Sequence, residues 1–106
     1  MSGPAWVKGT GGGATTTLPF TNQTGTYTID NTDCVVNCTG NGTFTVTLPT
    51  AVGIEGQYFI VKNSGTGVIT IDGNGSETID GFSNKLLAVK NESITVISDD
   101  SNWIIV

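Results

Sequence analysis

Between residues 43 and 48 hydroxyl and apolar side chains alternate strictly: Thr43, Phe44, Thr45, Val46, Thr47, Leu48. A period of two predicts a strand with Phe44, Val46 and Leu48 on a dry face and three threonines on a wet one. Pro49 ends it, because proline cannot donate to a ladder. Shorter runs of the same kind predict strands over 27–30, 34–38, 57–62, 68–72, 86–90, 93–98 and 103–106. Gly65-Thr66-Gly67, Gly73-Asn74-Gly75, Lys90-Asn91-Glu92 and 99–102 separate them as turns. About eight short strands, punctuated every ~8–12 residues, predict an all-β fold: an antiparallel β-sandwich or barrel-like domain. No segment carries a helical period.

Three of these strands are apolar on both parities: Tyr58-Phe59-Ile60-Val61, Leu86-Leu87-Ala88-Val89 and Trp103-Ile104-Ile105-Val106. A strand in a small monomeric sandwich has one dry face, so such runs ask for a second cover. With no helix in 106 residues, another copy of the chain is the expected cover. A closed barrel, or a loop crossing a central strand, is the alternative.

Composition narrows the function. Charged residues are 12% of the chain, with no His, four Lys and Arg together, nine Asp and Glu, and a net charge of −5. Too few cations are present to neutralise a phosphate backbone, so no nucleic-acid partner is expected. The commonest general base and metal ligand is missing. No apolar run approaches the ~18 residues of a membrane span, and the start Met1-Ser2-Gly3-Pro4 does not resemble a secretory leader. Residues 1–14 are Gly-rich and aperiodic, a flexible lead-in in which Trp6 is either a docked plug or part of a linker. Residues 15–106 then form a single β domain. The echo of Thr15-Thr16-Thr17-Leu18-Pro19 in Thr45-Val46-Thr47-Leu48-Pro49 is near what chance supplies in so Thr-rich a chain.

Candidate chemistry is sparse. Cys34 and Cys38 are four apart, ~13 Å along a strand, too far for a mutual disulfide. Two more ligands would be needed for zinc, so buried, unreactive thiols are expected. The stretch Asp72–Asp80 superficially mimics a calcium loop, but Glu77 stands where that loop needs glycine and Ser83 where it needs glutamate. A turn is the simpler reading. Gly11-Gly12-Gly13 lacks the Lys and Ser/Thr of a phosphate loop. None of the nine acids sits in an aromatic-lined stretch that would suit a glycosidase. No enzyme, cofactor or metal is expected.

Taken in order, T-F-T-V-T-L-P-T-A from Thr43, E-G-Q-Y-F-I-V-K-N-S-G-T-G-V-I-T-I from Glu55, G-S-E-T-I-D-G from Gly75, E-S-I-T-V-I-S-D from Glu92 and the closing N-W-I-I carry a resemblance. Together with the upstream T-Y-T-I-D-N-T-D-C-V-V-N-C-T-G, they resemble a module common in fibre and spike proteins of tailed bacteriophages. The resemblance spans about residues 24–106. It implies a compact β domain that packs or intertwines as a homotrimer in a tail or head fibre of the virion. The expected function is fibre assembly and host-surface attachment, with other virion proteins as partners and synthesis in the bacterial cytoplasm. That site of synthesis also fits cysteines without a disulfide.

The alternative is a carbohydrate-binding module, in which exposed aromatics stack on sugar rings while Asn and Asp read hydroxyls of a host-surface glycan. Its candidate ligand-binding residues are Phe82, Asn74, Asn84 and Tyr27, with Trp6 in the lead-in. Phe82 follows Asp80-Gly81 in an expected turn, where core positions are few; the competing reading has it plug the end of the domain or a trimer interface.

Overall fold

Thr-Gly and Gly-x-Gly turns bring the chain back on itself at short intervals, and the result is a coil. The computed structural model describes residues 17–106. The expected lead-in over 1–14 and Trp6 lie outside the described residues. Nine strands occur among the described residues: β1 (Phe20–Gln23), β2 (Tyr27–Thr28), β3 (Val35–Cys38), β4 (Phe44–Thr47), β5 (Tyr58–Asn63), β6 (Ile69–Asp72), β7 (Asn84–Leu87), β8 (Ser93–Ser98) and β9 (Trp103–Ile105). No helix is present among them. The all-β reading holds.

The antiparallel reading does not. The first sheet has the order β1-β3-β5-β8-β9 and the second β2-β4-β6-β7, so the chain changes sheet at each of its first five connections. β1, β3 and β5 therefore pair in parallel, as do β2, β4 and β6. Antiparallel pairing is confined to β6–β7, β5–β8 and β8–β9. Alternation along a strand reports which residues are dry; the direction of the neighbouring strand leaves no trace in that pattern.

Three two-strand rungs thus stack on one another, and the antiparallel strands close one end of the stack. Val35 pairs with Ile60 and Phe44 with Ile69, the same offset of 25 residues in both sheets. The turns between the two strands of each rung stack as closely as the strands. A Cβ added to Gly65 would lie 1.9 Å from the carbonyl oxygen of Gly40, and one added to Gly67 would lie 2.2 Å from that of Gly42. Buried Asn63 clamps the last of these turns. Its Nδ2 donates to the carbonyls of Gly67 and Leu87, both at 2.8 Å, and its Oδ1 accepts from the Gly65 N–H at 3.0 Å.

One core lies between the sheets. Val36, Cys38, Phe59, Val61, Val96 and Trp103 reach it from the first sheet, and Val46, Ile69, Ile71 and Leu87 from the second. Ile29, Leu48, Ala51 and Ile79 fill its margins from the connections. The β4 alternation is realised with Val46 and Leu48 fully buried and Phe44 packed at the edge of the same cluster.

Two boundaries differ from expectation. β1, with a single apolar residue in Phe-Thr-Asn-Gln, gives no alternation to detect and is held by its parallel partner β3. The strand expected over 86–90 instead ends at Leu87. There the Glu92 carboxylate accepts from the N–H groups of Ala88 (2.9 Å) and Val89 (3.2 Å), and Asn91 takes a left-handed φ of 73°. Bonded in this way, the backbone turns instead of extending.

Candidate functional site

The connection from β6 to β7 carries two of the four residues expected to read a ligand, Asn74 and Phe82. Asp80 and Gly81 both have positive φ, 52° and 85°, and Ile79 and Phe82 exchange backbone hydrogen bonds across them. This is the two-residue hairpin that Asp-Gly favours. It lifts the Phe82 ring into solvent, 63% exposed, with Lys85 Nζ 5.6 Å from the ring centre. The reading of Phe82 as a plug within this chain is therefore corrected: next to a two-residue hairpin turn, its side chain stands mostly in solvent with Lys85 beside it. Asn84 follows on β7, also exposed.

Asn74 and Tyr27 sit elsewhere. Asn74 lines an open cleft of about 360 Å³ together with Thr28, Asp30, Asn31, Pro49 and Thr50. Tyr27 is on β2, at the opposite edge of the second sheet from β7, three strand spacings or ~14 Å away. Its ring packs against the core and its hydroxyl donates to Asp33 Oδ2 at 2.7 Å. Desolvation and the Asp33 carboxylate push that phenol up to about 12. The four residues thus form no single pocket: Phe82 and Asn84 share a strand edge, Asn74 belongs to the cleft, and Tyr27 is committed to the fold.

The carboxylates have a role that their residue types alone did not reveal. Seven of the nine accept a hydrogen bond from a backbone N–H. Glu77 joins two connections, accepting from Ala51 N (2.8 Å) and Thr50 Oγ1 (2.6 Å). Asp100 holds Gly53 N at 2.7 Å, and Asp80 holds Ile105 N at 3.0 Å. Asp99 closes its own turn on Ser101 and Asn102. Hydrogen bonds from Asn102 and Ser101 keep the Asp99 carboxyl below the usual range, and those from Thr32 do the same for Asp30. For Asp30, Asp33, Glu92 and Asp99 the signal was local, an Asp or Glu two to four residues from a turn N–H, whereas the bonds of Glu77, Asp80 and Asp100 span 25 residues or more. The 72–80 stretch that mimicked a calcium loop contributes Glu77 to this set.

Cys34 and Cys38 are free and buried. Desolvation pushes both thiols up to about 11, which removes the thiolate that metal binding or nucleophilic attack requires. Among the described residues no three His, Cys, Asp or Glu side chains gather closely enough to hold a metal ion, and no helix is long and apolar enough to cross a membrane.

No protein-family model and no curated protein matches the chain.

Proposed function

We propose that the chain is a non-enzymatic structural and adhesion domain of a tailed-phage fibre. Its two sheets stack as a sandwich, three copies pack together on the virion, and the assembly contributes to fibre construction and attachment to the host surface. Other virion proteins are its neighbours, and it folds in the bacterial cytoplasm before assembly. The observation that carries the reading is the surface. Among the described residues eight large apolar side chains stand exposed, including Phe20, Phe82, Ile104 and Val106. Three of them, Phe20, Ile104 and Val106, belong to rows that also hold Val35, Ile60 and Ile97 on the first sheet, and a contiguous exposed apolar surface marks an interaction site. The stack of parallel rungs, stiffened by carboxylate-capped connections, supports a load-bearing role. The ordered resemblance over residues 24–106 supplies the fibre and the number three.

Light scattering after size exclusion tests it. The expected mass is near 33 kDa, three times the 11.0 kDa chain; a stable 11.0 kDa species would remove the reading.

The exposure of Phe82 favours the second reading, a carbohydrate-binding module, because an open ring flanked by Asn84 and Lys85 is a stacking surface with donors beside it. On a glycan array wild type should then give hits that Phe82→Ala weakens by at least ~5-fold, a stacking contact being worth about 1 kcal/mol or more. An array without hits would exclude it.

A further inference from the structure

The two sheets turn different outer faces to solvent. On the second, the outward positions are Thr28, Thr47, Asp72 and Asn84 in one row and Thr45, Thr70 and Leu86 in the next. That face is wet. On the first sheet, strand register places Phe20, Val35, Ile60 and Thr95 side by side, and the Val106 N–H bonded to the Thr95 carbonyl extends the row. A second row, Tyr58, Ile97 and Ile104, runs beside it. Their neighbours along each strand, such as Val36, Val61 and Val96, are the buried ones, so these rows point away from the core. Parallel strands apolar on both parities normally have both faces covered, and here nothing in the chain's described part covers the outer one.

We infer that the outer face of the first sheet is the surface through which copies of this chain pack on one another. The inference rests on the oligomeric reading above and deepens it by naming the face. Two features select a second copy over a saccharide or an unlike protein. Charge is the first. The chain carries −5, yet none of its nine carboxylates lies in these rows. The only Lys or Arg among them is Lys62, in the rim row Asn22–Asn37–Lys62. Copies that each carry a net charge of −5 can meet here without burying a like pair of carboxylates. The second is that the rim amide Asn37 is held within the chain at both its oxygen and its nitrogen. Asn37 Nδ2 donates to Asn22 Oδ1 at 3.0 Å, and Asn37 Oδ1 accepts from Ser64 Oγ. An apolar partner can cover Asn37 with both ends of its amide already bonded, whereas a sugar would find few free groups there to read its hydroxyls.

Ile60, on the central strand of the first sheet, is the residue to change. Wild type is expected to sediment and scatter as an oligomer. Ile60→Asp is expected to give the single-chain mass with a far-UV spectrum like wild type, while Leu86→Asp, on the threonine face of the second sheet, stays oligomeric. An oligomer that survives Ile60→Asp, or that Leu86→Asp dissociates instead, overturns the choice of face and leaves the oligomeric reading standing. A monomeric wild type overturns both. If Ile60→Asp does not fold, maleimide labelling decides, because Cys34 and Cys38 are buried and slow to react. Val106→Cys, at a position more exposed than Leu86 in the single chain (72% against 55%), should then label at least ~10-fold more slowly than Leu86→Cys in the native protein; equal rates overturn the inference.

Discussion

Alanine at Gly65 is expected to destabilise the domain by on the order of 3 kcal/mol, whereas alanine at Gly42 leaves it neutral or up to about 1 kcal/mol more stable. The difference lies in what each new methyl would meet. At Gly65 the Cβ would stand 1.9 Å from the Gly40 oxygen and 2.9 Å from its carbonyl carbon. Those are backbone atoms of the rung beneath, which cannot swing aside as a side-chain tip would. At Gly42 nothing lies within 4 Å. Gly40, whose Cβ would come 2.5 Å from the Thr24 oxygen, should behave like Gly65, and Gly25, with open space around it, like Gly42. Thermal unfolding reads the contrast directly. For a domain of this size 3 kcal/mol corresponds to a fall in Tm of roughly 12 °C or more. A Gly65→Ala protein melting with wild type would mean that the stacked turns are not in contact.

Trp103→Ala is expected to cost about 3–5 kcal/mol, a large part of the ~5–15 kcal/mol that holds a typical domain together. Trp103 is the largest fully buried side chain. Its ring meets that of Phe59 at 5.6 Å and 58°, and its Nε1 donates to the Pro49 carbonyl at 3.2 Å. Its backbone also ties β9 to the β6–β7 connection: Trp103 N–H donates to Thr78 and its carbonyl accepts from Asp80 N–H, both at 2.9 Å. One residue, through its ring and its backbone, thus joins the first sheet, the β4–β5 connection and the closing hairpin. Trp103→Phe keeps an aromatic ring but loses the indole donor and part of the buried volume, so a smaller loss of about 1–3 kcal/mol is expected. Urea unfolding of both variants measures the two losses. Deleting 103–106 removes this anchor together with Ile104 and Val106 of the outer face, and should abolish assembly. A soluble trimer of that truncated chain with the wild-type Tm would refute the packing account.

Individual strands were legible wherever burial imposes a period. Phe44-Thr45-Val46-Thr47 and Ile69-Thr70-Ile71-Asp72 alternate because one side of each faces the core. β1 was invisible because an edge strand held by one neighbour needs no such pattern. A stronger signal lay unread. Residues 35–47, V-V-N-C-T-G-N-G-T-F-T-V-T, recur as I-V-K-N-S-G-T-G-V-I-T-I-D at 60–72. Only Val36/Val61, Gly40/Gly65, Gly42/Gly67 and Thr45/Thr70 are identical, but the glycines fall where one backbone must pass within contact of another. Read as spacing, that repeat announces stacked rungs. The candidate site fared differently. Exposure of Phe82 was suggested by the Asp-Gly turn before it. The separation of Tyr27, Asn74 and Asn84 depends on which edge of which sheet each strand occupies, and local sequence does not encode that.

What the sequence alone determined is whatever short-range physics decides: β structure from alternation and β-branching, turns from Gly and Asn, and unbridged thiols from spacing. What only the tertiary structure decided is whatever depends on long-range pairing: the parallel coil in place of an antiparallel meander, the glycine contacts between rungs, the carboxylates that hold distant connections, and which sheet carries the uncovered face. The physical reason is that a side chain's parity is set by its immediate neighbours along the strand. Its partner across the sheet is set by a turn that either folds the chain back or sends it over to the other sheet, and the same Gly-x-Gly serves for both.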